Sequence, residues 1–117
     1  MTSDKLADYL RHMQEGAHQV ADYIADMDRT TFLADRRTQQ AVIMNLVIIG
    51  EAATRIMSDY PEFAASHPNI PWRNMRGMRN RIAHGYFDID MEQVWETAQT
   101  SLPDLREKLA QSQPLPR

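Results

Sequence analysis

An all-α, up-and-down bundle of four to five helices is the fold this sequence predicts. Apolar residues recur at three- and four-residue spacing in four separate segments, and no segment shows the alternating run of β-branched residues expected of a strand. At 117 residues the chain suits one domain with its own core and is short for two. Residues 1–112 are expected to form that domain. The remaining 113–117 close the sequence QSQPLPR, which lacks an apolar face and is expected to fray.

The first helix carries Leu6, Leu10, Met13, Ala17, Val20 and Ile24 on one face, until Asp28, Arg29 and Thr30 break the pattern. The second runs through Val42, Leu46, Ile49, Ala53, Ile56 and Tyr60, with Ile43, Val47, Gly50 and Met57 widening its apolar face. So broad a face suits a helix central to the bundle, or one shared between its core and a second copy, and a homodimer is expected. Prolines at 61, 68 and 71 favour turns in the connection that follows. Pro71 suits the first turn of a short third helix with Met75, Met78 and Ile82 as its apolar stripe, and Gly85 suits its stop. A final helix begins near Asp90, whose spacing to Gln93 is that of a capping box, and continues through Val94, Ala98, Leu102, Leu105 and Leu109. Pro103 should kink or restart it.

Composition excludes several classes of function. The absence of cysteine removes disulfides, thiolate metal sites and cysteine nucleophiles, and is compatible with a reducing cytoplasm. The N-terminus lacks the order of a signal peptide, and the apolar run from Ala41 to Ile49, interrupted by Asn45, is shorter than the roughly 20 residues of a membrane span. A soluble, cytoplasmic protein without membrane attachment is expected.

A net charge of −3 hides an uneven distribution. Arg73, Arg76, Arg79 and Arg81 fall together, and neither Asp nor Glu occurs from Phe63 to Phe87. Eleven arginines against two lysines favour bidentate recognition of phosphate or carboxylate. Within this segment Asn80 and His84 are four apart and share a helical face, with Arg73 and Arg76 on the same side. Arg79 and His84 are separated by roughly 140° on an ideal helix. Their convergence needs either a helix end, which Gly85 would allow, or a second copy.

The run Arg79-Asn80-Arg81-Ile82-Ala83-His84-Gly85-Tyr86 resembles the R-x4-H-x-Y pattern of HepT-like HEPN-domain toxins. Ile49-Gly50-Glu51-Ala52, Ile70-Pro71-Trp72 and Val94-Trp95 extend the likeness over most of the chain. The resemblance implies a HEPN-type bundle and a metal-independent endoribonuclease, the toxin of a toxin–antitoxin pair. It also implies a cognate nucleotidyltransferase antitoxin that AMPylates Tyr86, within a complex that can exceed a dimer. The residue chemistry is compatible with such a role. Histidine titrates near neutrality, so His84 can move protons; Arg79 can neutralise charge on a phosphorane, and Asn80 can orient His84 or bind substrate. Arg73, Arg76 and Arg81 are candidates for the RNA backbone, with salt-sensitive binding.

Each residue also has a plainer reading. His84 can complement a helix C-terminus, Arg79 can pair with Glu51 or Asp88, and Glu51 is well placed for a helical ion pair with Arg55. Tyr86 can cover the bundle end with its hydroxyl in water, and the three outer arginines can form a solvated face. His84, Asp88 and Asp90 are residue types that ligate metals, but their spacing crosses a helix stop and Asp90 reads better as a cap. No metal or cofactor is expected, and His12, His18 and His67 read as surface or loop residues. The alternative function is a catalytically silent module that binds RNA or a nucleotidyltransferase.

Overall fold

The structure, a computed structural model, describes residues 5–112; the tail expected at 113–117 lies outside them. Helices account for the architecture, and no strand occurs among the described residues. In chain order they are α1 (Lys5–Tyr23), α2 (Arg29–Leu33), α3 (Arg36–Asp59), α4 (Pro61–Ser66), α5 (Trp72–His84), α6 (Met91–Glu96) and α7 (Leu102–Gln111). A 3-10 turn at Tyr86–Asp88 joins α5 to α6, and a π-helical turn at Thr97–Ser101 joins α6 to α7. The expected all-α bundle is therefore present, with α1, α3, α5 and the α6–α7 rod as its principal members.

Helix α3 is the centre. It packs against α1 on one side and α5 on another, burying Val42, Leu46, Ile49, Ala52, Ala53 and Ile56. Leu10, Met13, Ala17 and Val20 of α1 and Leu102, Leu105 and Leu109 of α7 join it in the core. By length and composition alone α3 is apolar enough to cross a bilayer, although its longest uninterrupted apolar run is short. In this fold it serves as a core helix, and the buried Asn45 donates from Nδ2 to the Ala41 carbonyl at 3.0 Å. Met44 and Ile48 remain exposed on its outer side.

Two short helices stand where the sequence suggested a break and a turn. Asp28 caps α2 by accepting from the Thr31 amide at 2.8 Å, and Asp35 caps α3 by accepting from the Thr38 amide at 3.1 Å. The break in apolar spacing near residue 28 is thus a helix start. Phe32, fully buried, packs on Trp95 of α6 with ring centroids 5.1 Å apart, while Gln39 Nε2 donates to the Phe32 and Leu33 carbonyls at the end of α2. Pro61 begins α4 rather than preventing it, because a first-turn amide has no partner to lose.

The indole of Trp72 ties α4 to α5, its Nε1–H shared between the Ala64 and His67 carbonyls at 3.1 Å each. Buried Ile70 anchors the entry to α5, and Pro71 is its cap residue, one position before the helical turn expected of it. Pro103 restarts the last helix, as expected: it occupies the first turn of α7 directly after the π-helical segment. The wider turn accommodates a ring that would otherwise crowd the carbonyl four residues back. Asp90 caps α6 by accepting from the amides of Glu92 at 3.0 Å and Gln93 at 3.3 Å, the role its spacing predicts.

Candidate functional site

The arginine-rich helix α5 lies along α3, and the contact turns on Gly50. A Cβ at that position would overlap Arg79 Cβ and come within 2.7 Å of the Met75 carbonyl oxygen. The missing side chain lets Arg79 enter a notch in α3. From there its Nη2 donates to Thr54 Oγ1 at 3.0 Å, and the Thr54 hydroxyl in turn donates to the Gly50 carbonyl at 2.8 Å.

Nη1 of Arg79 lies 3.7 Å from Glu51 Oε1, within Coulombic reach but too far for a good hydrogen bond. Glu51 spends its other oxygen on Arg55, whose Nε donates to Oε2 at 3.0 Å. The helical Glu51–Arg55 pair is therefore formed, and Glu51 also reaches toward Arg79. Arg79 Nε is sealed from solvent and has no hydrogen-bond partner among the described residues. An orphaned donor of this kind costs about 1–3 kcal/mol, so the rest of the contact must hold the side chain in place.

His84 is the last residue of α5, and its side chain is exposed. Nδ1 lies 2.9 Å from the Asn80 carbonyl oxygen. A carbonyl can only accept, so Nδ1 carries the hydrogen and the neutral ring leaves the Nε2 lone pair outward. The backbone of Asn80, rather than its exposed side chain, makes this contact. Gly85 ends the helix but in no special conformation: its φ is −118°, which any residue can adopt. Its use is steric, because a Cβ there would come within 3.0 Å of the Arg81 carbonyl oxygen while the Gly85 amide donates to that same oxygen at 2.7 Å.

Beyond Gly85, the 3-10 turn presents Tyr86, 65% exposed, and Phe87, 94% exposed, with rings edge to face at 5.3 Å. An open cavity of about 500 Å³ lies beside His84, floored by Met78, Ile82 and Val94 and edged by Asp88 and Gln93. Among the described residues no three His, Asp or Glu side chains gather as a metal site would require.

The expected site residues thus do not gather at one point. Arg79 is fastened to α3, whereas His84 stands at the free end of α5, and no hydrogen bond links them. The basic patch also divides. Arg73 and Arg76 edge a cleft against α4, while Arg81 edges the cavity beside His84 and reaches back along the helix toward Gly77. The sequence offers Glu51 as a partner for Arg79 and places Gly50 on the apolar face of its helix, but nothing in that reading singles out Thr54 or the close approach at Gly50. Glycine inside a strongly apolar helix, followed one turn later by threonine, was the available signal of a close helix approach.

A family model described as "Ribonuclease HepT-like" matches residues 13–112. A protein of Thermococcus cleftensis named probable ribonuclease HepT is 38% identical over 101 residues, covering 86% of this chain and 89% of its own. Two proteins of Methanocaldococcus jannaschii, both named as candidate RNases, are 34% identical: one over 101 residues, 86% of this chain and 90% of its own, the other over 100 residues, 85% and 80%. No solved structure matches the chain significantly.

Proposed function

Because the chain belongs to the HepT-like ribonuclease family, we propose that it is a metal-independent endoribonuclease whose site is built on Arg79 and His84. It is the toxin of a pair, held in check by a nucleotidyltransferase antitoxin that AMPylates Tyr86. The observation that carries the reading is the contrast between the two side chains: a guanidinium fixed in advance on α3 and, five residues on, an exposed imidazole with a free Nε2. These are the properties asked of a charge-stabilising group and of a proton shuttle.

The reaction balances without a metal. His84 Nε2 removes the proton of a ribose 2′-hydroxyl, O2′ attacks the adjacent phosphorus, and the P–O5′ bond breaks. Arg79 Nη1 meets the charge on the nonbridging oxygens. A second, protonated His84 gives its proton to the departing 5′ oxygen, leaving a 2′,3′-cyclic phosphate and a 5′-hydroxyl. One chain supplies one such histidine, so the site is completed by a two-fold partner, and the exposed Met44 and Ile48 on α3 supply an apolar face for that contact. Arg73, Arg76 and Arg81 bind flanking phosphates, and Asn80 contacts the substrate with its exposed side chain. Tyr86, with most of its surface in solvent, is accessible to a modifying enzyme.

Purified, unmodified protein should cleave total cellular RNA in excess chelator. His84→Ala should lose roughly 10²–10⁴-fold in rate, as removal of a general acid–base group does, and Arg79→Ala a comparable amount. Products ending in a 3′-hydroxyl would exclude the cyclic-phosphate route. The silent-module reading draws on one observation, that Arg79 is already engaged by Thr54 and faces Glu51. It gains if folded wild-type protein binds RNA and leaves it intact.

A further inference from the structure

We infer that Thr54 is the positioning residue for Arg79: it holds the guanidinium by one nitrogen so that the other stays free for a phosphate oxygen. The inference rests on the proposed role of Arg79 and adds a residue to that site.

The hydrogen-bond polarity is forced. Arginine only donates, so Thr54 Oγ1 must accept from Nη2, and its single hydrogen goes to the Gly50 carbonyl at 2.8 Å. The hydroxyl therefore has a defined orientation, with a lone pair aimed at Nη2. It is anchored by the same residue whose missing Cβ admits Arg79 to α3. Gly50 makes the space and Thr54 sets the direction.

On the opposite edge, Nη1 is left without a good hydrogen bond. Glu51 is the competitor for it: Oε1 stands 3.7 Å away, an ion-pair distance too long for a good hydrogen bond, while Oε2 accepts from Arg55 Nε at 3.0 Å. A phosphate oxygen arriving at Nη1 has no hydrogen bond to displace. Arg79 Nε, sealed without a partner, fits a side chain held by its ends rather than by local satisfaction. Take away the Thr54 acceptor and Nη2 loses its hold, so the guanidinium can turn toward Glu51 and pair with it fully. The expected consequence falls on the rate of the chemical step more than on substrate affinity.

The test compares steady-state cleavage of an RNA oligonucleotide that the wild type cuts by wild-type, Thr54→Val, Thr54→Ser and Arg79→Ala proteins, with melting temperatures taken alongside. Thr54→Val keeps shape and removes the acceptor; Thr54→Ala, which removes the acceptor and the methyl group together, replaces it if valine does not pack. The expected result is a roughly tenfold fall in kcat, the size of one orienting hydrogen bond, with KM little changed and the pH–rate profile unmoved. Thr54→Ser, which keeps the hydroxyl, should restore kcat although it loses a methyl group. A purely structural Thr54 predicts the opposite order, with activity tracking stability and serine no better than valine, and that result overturns the proposal. Full kcat in folded Thr54→Val, where Arg79→Ala is dead, overturns it alone. Full activity in Arg79→Ala, or no cleavage by the wild type, overturns the reading of the site and this proposal with it.

Discussion

Substituting Gly50 by alanine tests the packing that seats Arg79, and its cost can be worked from the contact. Alanine in a helix interior is favoured over glycine by about 0.8–1.0 kcal/mol, so an empty site would give a more stable protein. Here the added carbon meets Arg79 Cβ and, at 2.7 Å, the Met75 carbonyl oxygen. Neither can rotate away, and α5 must move off α3 as a body. Overpacking costs about 1–3 kcal/mol, and with backbone as the obstacle the upper half of that range applies. The net loss is then about 1–2 kcal/mol, or roughly 4–8 °C in a domain of this size. Gly16→Ala is the internal control. Its nearest neighbour is the Ile49 side chain, Cγ1 at 3.1 Å, which can shift, so the gain in helix propensity offsets the contact and Tm should stay close to the parent's. Thermal melts give both numbers, and cleavage by Gly50→Ala should fall by more than the loss of folded protein explains, because Arg79 moves with α5. A Gly50→Ala protein that melts at or above the parent temperature and cleaves normally would refute the reasoning.

Other expectations follow from contacts elsewhere. The backbone amides of Thr31 and Thr38, aided by the threonine side chains, hold the carboxyls of Asp28 and Asp35 below their ordinary 3.8. A depressed folded value means that this stabilisation is present above 3.8 and is lost as pH falls through the folded pKa. Melts taken downward through that range should show less acid sensitivity in an Asp28→Asn, Asp35→Asn double variant, which caps without ionising. Phe32 is the one buried residue of α2, so Phe32→Ala should cost about 3–5 kcal/mol in urea unfolding, as large-to-small aromatic core changes do; a loss below about 1 kcal/mol would show that α2 is not held through Trp95. For the proposed dimer, Ile48→Glu should yield monomers by light scattering, with cleavage falling alongside the dimer fraction. An active monomer would remove the argument for a composite site.

Periodicity made the long helices legible because each must bury one continuous face, and α1, α3, α5 and the α6–α7 rod all declare that face in their spacing. The short helices were hidden for a physical reason. At five and six residues, α2 and α4 are too brief to show a period, and what forms them is capping and a few tertiary contacts: Asp28 and Phe32 in one, Pro61 and the Trp72 indole in the other. The residues of the proposed site could be named from the sequence, but their arrangement could not. The spacing of Arg79 and His84 correctly warned that one straight helix directs them apart. Glu51 could be named as a partner for Arg79, but the notch at Gly50 and the acceptor at Thr54 could not, since both lie far from Arg79 in sequence and meet it only through the packing of α5.

That separation bears on how the site can work. A group that neutralises charge in a transition state does most when it is fixed before the reaction, since it then pays no reorganisation. A group that carries protons must be open to the substrate oxygen it serves and exchange its proton with solvent afterwards. Burying the Arg79 stem in the α3 notch suits the first demand and leaving His84 at an open helix end suits the second, but the two side chains have separate partners within one chain. The exposed apolar residues of α3 lie on the same helix that seats Arg79, at Met44 and Ile48, two turns or less before Gly50. A two-fold contact along that face would place each Arg79 near the interface, where the partner's helix end could approach it. On this argument the wide apolar face of α3 and the awkward spacing on α5 have one explanation: the helix that organises the core would also organise the pairing that completes the site.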